Sequence, residues 1–222
     1  MAVPGEGGPA VNVLVIDTSG GAAVGLVRDD ELVSQARHAS PRQHAEQLGP
    51  LTHQVLAAAG LRLAEVDLLA VGTGPAPYTG LRAGLVTARL LAFAAGLPVV
   101  GMSPLDALAA QAFAAGATGQ VLVVTDARRR EVYWGAYAQA GRGVTQVEEL
   151  GVGAPAAAPT ARRSVVGPAV GLLPTDEINI GPSVSELDLA CFGRLARERW
   201  AAGTGGELVP AYLRRPDIHP GK

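Results

Sequence analysis

The chain has 222 residues, a formal net charge of -2, and 48% hydrophobic against 17% charged residues. That is enough apolar material for one large domain or two small ones, and too little charge for a disordered chain. The acidic balance argues against a general nucleic-acid-binding surface, and no apolar run reaches the roughly 18 residues of a membrane span.

Residues 1–11 are rich in Gly and Pro and lack a basic start followed by an apolar run, so they read as a loose tail and not as a secretion signal. Asn12-Val13-Leu14-Val15-Ile16 predicts a central strand ending at the turn Asp17-Thr18-Ser19-Gly20-Gly21. Residues 22–27 and 32–36 flank Arg28-Asp29-Asp30-Glu31 and predict an antiparallel hairpin. Ser40-Pro41-Arg42-Gln43 is a capping-box pattern that opens a helix reaching Ala59, with Pro50 inside it as an expected kink. Leu48, Leu51, Val55 and Leu56 trace its apolar stripe.

Residues 68–73 predict a buried strand that runs into Gly74-Pro75-Ala76-Pro77, and a long apolar helix follows over about 80–95. That turn suits either a phosphate cradle or a rigid corner. Pro75 and Pro77 remove backbone donors a cradle would use, and no Gly-x-Gly-x-x-Gly or Gly-Lys-Ser/Thr is present, which favours the corner. The helix carries leucines at 81, 85, 90 and 91 with Gly84 and Ala88 between them. Being apolar nearly all round, it either packs tightly on the sheet beneath or presents a seam to another molecule.

Ser103 caps a third helix through about Ala115, and then the pattern partly repeats. Residues 121–126 form a second apolar strand ending in Asp, 131–138 and 145–150 suggest further strands, and 164–166 a short one. Ser183 or Ser185 opens a last helix through about Ala201. Two halves that each begin on an apolar strand ending in Asp predict a duplicated α/β architecture with mixed sheets of the ribonuclease-H/actin type.

Chemistry is sparse. Asp17-Thr18-Ser19 could face a phosphate, or could simply cap a strand end. His38, His44, His53 and His219 form no metal-ligand spacing, so no metal is expected. Arg128-Arg129-Arg130 reads as a solvated turn or as an RNA or phosphate contact. The lone Cys191 cannot pair within the chain, which suits a reducing cytoplasm, and no Ser/His/Asp set emerges.

Four motifs in order carry a resemblance spanning residues 12–215: Val15-Ile16-Asp17-Thr18-Ser19, Gly74-Pro75-Ala76-Pro77-Tyr78-Thr79-Gly80-Leu81-Arg82-Ala83-Gly84-Leu85, Asp126-Ala127-Arg128 with Glu131-Val132-Tyr133, and Pro210-Ala211-Tyr212-Leu213-Arg214. Together they resemble the TsaB (YeaZ) family, the small subunit of the bacterial machinery that makes threonylcarbamoyladenosine in tRNA. Pro77 and Tyr78 stand where the family usually has Ser and Phe.

The resemblance implies an actin-like ATPase (ASKHA) fold of two ribonuclease-H-like lobes, one over 12–104 and a smaller one over 105–222 whose last helix and tail pack back on the first. It implies a non-catalytic subunit that pairs with the TsaD-type catalytic paralogue, joins a TsaE-type ATPase, forms a homodimer when alone and meets tRNA only through the complex. No cofactor is implied for the isolated chain, with ATP or ADP entering only the assembly. The metal-binding histidines of TsaD-type paralogues would fall on Pro104 and Leu108, neither of which can bind a metal. The family's pairing surface lies on the two long helices of the first lobe, here Leu48, Leu51, Val55, Leu81, Gly84, Leu85, Ala88 and Leu91, so Gly84→Arg is expected to abolish pairing with the fold intact. The competing reading is an independent ATP-dependent enzyme of the actin-like superfamily, or an M22-type peptidase, gripping nucleotide with Asp17, Thr18 and Ser19.

Overall fold

A computed structural model describes residues 10–38, 44–174, 178–205 and 208–214. Continuous apolar runs become central strands because both faces of each sheet are covered. Strands β1 (Asn12–Asp17), β2 (Ala22–Arg28), β3 (Glu31–His38), β4 (Leu68–Gly72) and β5 (Val99–Met102) form one sheet in the order β3-β2-β1-β4-β5. Strands β6 (Gln120–Arg128), β7 (Glu131–Ala140), β8 (Gly143–Gln146), β10 (Ser164–Val166) and β11 (Asn179–Ile180) form the second, in the order β11-β10-β6-β7-β8, with β9 (Gly151–Gly153) also paired to β7.

The two sheets repeat one plan. β1 runs antiparallel to β2 and parallel to β4, while β6 runs antiparallel to β7 and parallel to β10. This is the duplicated mixed-sheet α/β architecture that the two Asp-ended strands predict.

Helices α1 (His44–Ala58) and α2 (Tyr78–Ala95) cover the outer face of the first sheet. Helices α3 (Pro104–Ala114) and α4 (Leu189–Ala201) lie between the sheets. The period-2 alternation of the strands feeds both layers. Leu14, Ile16, Leu69 and Val71 enter the outer core with α1 and α2, whereas Val13, Val15, Leu68 and Ala70 enter the inner core with α3 and α4. From the other side, Val121 and Val123 of β6 join the same inner core. Ion pairs reinforce this layer: Arg199 of α4 holds the buried Asp106 of α3 at 2.7 Å, and Arg197 holds Asp30 of the β2–β3 turn at 2.7 Å.

Several expectations need adjustment. The capping box at 40–43 lies outside the described residues, and α1 is unbroken through Pro50. Ser103 does cap α3, its Oγ accepting from Leu105 N–H at 3.2 Å. The cap of α4 is Asp188, whose Oδ1 accepts from Ala190 N–H at 2.8 Å, and not Ser183 or Ser185. Asp188 sits directly before the apolar run and its carboxylate reaches the free N–H groups, which the earlier serines do not. The two-residue β11 has no length over which periodicity could reveal it.

The first hairpins of both sheets close alike. Arg28 faces Glu31 across Asp29 and Asp30, at φ 49° and 72°, and Arg128 faces Glu131 across Arg129 and Arg130, at φ 55° and 63°. Positive φ at both central residues marks the type I′ turn that matches strand twist. Asp tolerates that conformation, but a long side chain does so at a cost of about 1–2 kcal/mol. Arg130→Gly is therefore expected to stabilise the chain by about 0.5–1 kcal/mol after glycine's extra unfolded-state entropy, raising Tm by about 1–4 °C. A lower Tm in a calorimetric scan would show that the Arg130 side chain stabilises the tip more than its backbone strains it.

Candidate functional site

The corner from β4 into α2 is built against β1. Gly72 ends β4, and a Cβ there would overlap Asp17 Oδ1. Asp17 is almost wholly buried, and its Oδ2 accepts from Ser19 N–H at 3.0 Å and from Ser19 Oγ–H at 2.6 Å. Burial raises its pKa above the ordinary carboxylate range, against the pull of the Ser19 donors and the Arg37 guanidinium. Thr18 is buried against α2, where a Cβ on Gly84 would come within 2.8 Å of Thr18 Oγ1.

Asp17 and Ser19 line a cleft of about 400 Å³ between the sheets, together with Arg37, Asp126, Arg128 and Glu186. Asp126, at the matching end of β6, is committed to its own turn: Oδ1 accepts from Arg128 N–H at 2.6 Å and Oδ2 pairs with the Arg128 guanidinium at 3.1 Å. Both strand-end aspartates thus tie down their own turns, and of Asp17, Thr18 and Ser19, Thr18 is turned away under α2. Leu108, one of the two positions matched to paralogue ligands, forms part of the cleft wall, while Pro104 opens α3 and is buried. Among the described residues, no group of three or more His, Cys, Asp or Glu side chains is placed to hold a metal ion.

The interface residues expected on the two long helices fall elsewhere than on the surface. Leu48, Leu51 and Val55 of α1, and Leu81, Leu85 and Ala88 of α2, are buried in the chain's own outer core, with Leu91 partly buried against it. Gly84 faces Thr18. The buried ones among these side chains pack on the chain's own first sheet. An arginine at position 84 would strike Thr18 and report on the fold, not on pairing.

A second stripe, offset around α2, points outward. Val86, Leu90 and Phe93 are 53%, 63% and 89% exposed, and with the half-buried Ala83 they follow the alternating four-three spacing of a helix-packing seam. The exposed positions described on α1 are Glu46, Gly49, Pro50, His53, Gln54, Ala57 and Ala58, and α2 also exposes Arg82 and Arg89. The spacing of 83, 86, 90 and 93 is readable in the sequence. The orientation is not, because 81, 85, 88 and 92 make an equally good stripe. The small residues Gly84 and Ala88 mark the face pressed on the β1 turn, and the larger Phe93 is left outside.

The C-terminal segment straps the halves together. Ala211 N–H donates to Thr73 O at 2.8 Å, Arg89 donates to Leu208 O at 3.0 Å, and Tyr212 packs on Tyr78 with ring centroids 4.9 Å apart. Arg214 then reaches the second sheet, donating to Ala127 O at 3.3 Å and pairing with Glu131.

Comparison with known proteins converges on one family. The model of "TsaD: tRNA N6-adenosine threonylcarbamoyltransferase" matches residues 33–159, more than half of the chain. A protein of Mycobacterium tuberculosis is 40% identical over 214 residues, covering 94% of each chain. The solved structure of YeaZ from Pseudomonas aeruginosa superposes with a TM-score of 0.72 at 30% identity, covering 91% of this chain and 100% of that one. The chain belongs to the TsaB (YeaZ) family. A further member, the tRNA threonylcarbamoyladenosine biosynthesis protein TsaB of Escherichia coli, is 34% identical over 139 residues, which cover 63% of this chain and 60% of that protein. Among the described residues, no helix is long and apolar enough to cross a membrane.

Proposed function

We propose that this chain is a non-catalytic scaffold in the synthesis of threonylcarbamoyladenosine in tRNA, docking a TsaD-type catalytic subunit on the exposed face of α2. The observation that carries the reading is the outward stripe Val86, Leu90 and Phe93 on a helix whose opposite face is already fully used by the chain's own core. A solvent-facing phenylalanine in line with exposed Val86 and Leu90 is a composition suited to an interface centre, where aromatic and apolar residues are enriched. Helix-on-helix packing there would leave both sheets and the cleft untouched.

The non-catalytic part of this reading is supported by the positions that would need ligands. Pro104 has no donor atom to offer, and Leu108 presents a hydrocarbon to the cleft where the paralogue has histidine. The strand-end carboxylates are absorbed by Ser19 and Arg128. In this reading a TsaE-type ATPase and ATP or ADP join only the assembly, tRNA is met through the complex, the same stripe closes a homodimer when the partner is absent, and the complex works in the cytoplasm.

Co-expression with the TsaD-type subunit, followed by size-exclusion chromatography, tests the proposal. A stoichiometric complex that replaces the homodimer is expected. Separate elution of two folded proteins would overturn it.

A further inference from the structure

The outward face of α2 carries charge as well as apolar side chains. Arg82 and Arg89 are both exposed and seven residues apart, so they lie on one line of the helix, about 10.5 Å from each other along its axis. They immediately precede Ala83 and Leu90, which places both on the same flank of the seam formed by 83, 86, 90 and 93. The opposite flank holds Thr87 and Ala94, which carry no charge. One edge of the seam is thus basic and the other neutral, and α2 contains no Asp or Glu to balance it.

Both guanidinium groups are held by neutral acceptors. Arg82 donates to Tyr78 Oη at 2.6 Å with its Cζ 5.1 Å from the Tyr78 ring centroid, and Tyr78 packs on Tyr212 of the C-terminal strap. Arg89 donates to Leu208 O of the same strap at 3.0 Å. Among the described residues neither forms an ion pair, whereas Arg197 and Arg199 of α4 each hold a carboxylate at 2.7 Å. An arginine positioned by groups that do not neutralise it presents an ordered, uncompensated cation.

We propose that Arg82 and Arg89 select the partner of α2, favouring a helix with Asp or Glu along the facing flank over a second copy of this chain. The inference rests on the docking of a partner helix along α2. Flanking charges set partner choice and orientation in such seams. In an antiparallel pair of copies, the arrangement that helix dipoles favour, like flanks face each other. The midpoint of a stripe from 83 to 93 is position 88, so each Arg89 would lie beside its own counterpart across the two-fold axis. Like charges there destabilise the homodimer, and facing carboxylates turn the same positions into ion pairs. The apolar stripe supplies affinity for either partner, and the arginines supply the difference between them. That stripe also favours a protein helix over an RNA strand as the occupant, because phosphates gain nothing from Val86, Leu90 and Phe93.

Sedimentation equilibrium of the full chain alone, and its calorimetric titration with the TsaD-type subunit, each at low and at high salt, test the inference. Raising the salt is expected to tighten the homodimer and to weaken the complex. Arg82→Gln combined with Arg89→Gln is expected to tighten the homodimer and weaken the complex, each by about threefold or more at low salt, and to flatten both salt dependences. Tm is expected to stay within about 2 °C of its original value. Arg82→Lys combined with Arg89→Lys keeps the charges and is expected to keep the preference, which a merely structural role for the bonds to Tyr78 and Leu208 would not do. Unchanged affinities in the Gln double variant overturn the inference. The docking reading survives that result if Phe93→Asp still abolishes the complex, and both fall if Phe93→Asp is without effect as well. Salt-sensitive binding of single-stranded RNA that the Gln double variant removes, with both protein affinities unchanged, assigns the arginines to phosphate and also overturns the inference.

Discussion

Phe93→Asp is expected to abolish recovery of the chain in complex with a TsaD-type subunit while leaving the isolated protein as stable as before. Phe93 is 89% exposed, so the substitution removes almost no buried area from the monomer and should change its stability by less than about 0.5 kcal/mol. At the centre of a helix-packing seam the same change puts a charge into a desolvated pocket. Hot-spot aromatic residues cost about 2–4 kcal/mol when lost, which is roughly 30-fold to 1,000-fold in Kd. Leu90→Asp should act in the same direction. Leu85→Asp, one turn away but in the outer core, should instead unfold the protein, and that contrast separates the seam from the core. Calorimetric titration paired with a thermal melt reads both quantities. Wild-type affinity in Phe93→Asp would remove the stripe from the interface.

Gly72→Ala is expected to be among the most damaging single-methyl changes in the chain. The new Cβ would occupy the position of Asp17 Oδ1, so the carboxyl must leave both Ser19 donors or β4 must part from β1. Losing one hydrogen bond to a charged group costs about 1.5–3 kcal/mol, and overpacking adds a further 1–3. A loss of about 3–5 kcal/mol, and of roughly 10 °C in Tm, is the expected reading of a thermal melt. A shift under 2 °C would mean that the corner relaxes without disturbing Asp17. The same carboxyl has a pH signature. Because burial raises its pKa, the native state holds the proton more tightly than the unfolded chain does. The stability from this group is fully present below the ordinary carboxylate value and is lost as pH rises through the raised one.

The central strands and the duplication were readable because their chemistry is redundant. Residues 12–17 and 121–126 are apolar on both faces, and each ends in an aspartate that ties its own turn. The family motifs were readable for a related reason, since corners such as 72–84 admit few residues at each position. The outward face of α2 was not. Two apolar stripes share that helix, and only the position of Thr18 beneath Gly84 decides which is inside. The run 128–130 was readable as a turn, but its positive φ was not, because it lacks the Asn or Gly that usually announces that conformation.

The placement of α4 has a consequence for how the chain is made. All five strands of the first sheet have been synthesised once Met102 emerges, yet the helix that covers their inner face begins only at Leu189. At roughly 5–20 residues per second, a ribosome leaves that face open for on the order of ten seconds. Val13, Val15, Leu68 and Ala70 would stay wet throughout, unless α3 or a chaperone shelters them. The first half of this protein cannot finish folding before the second half exists.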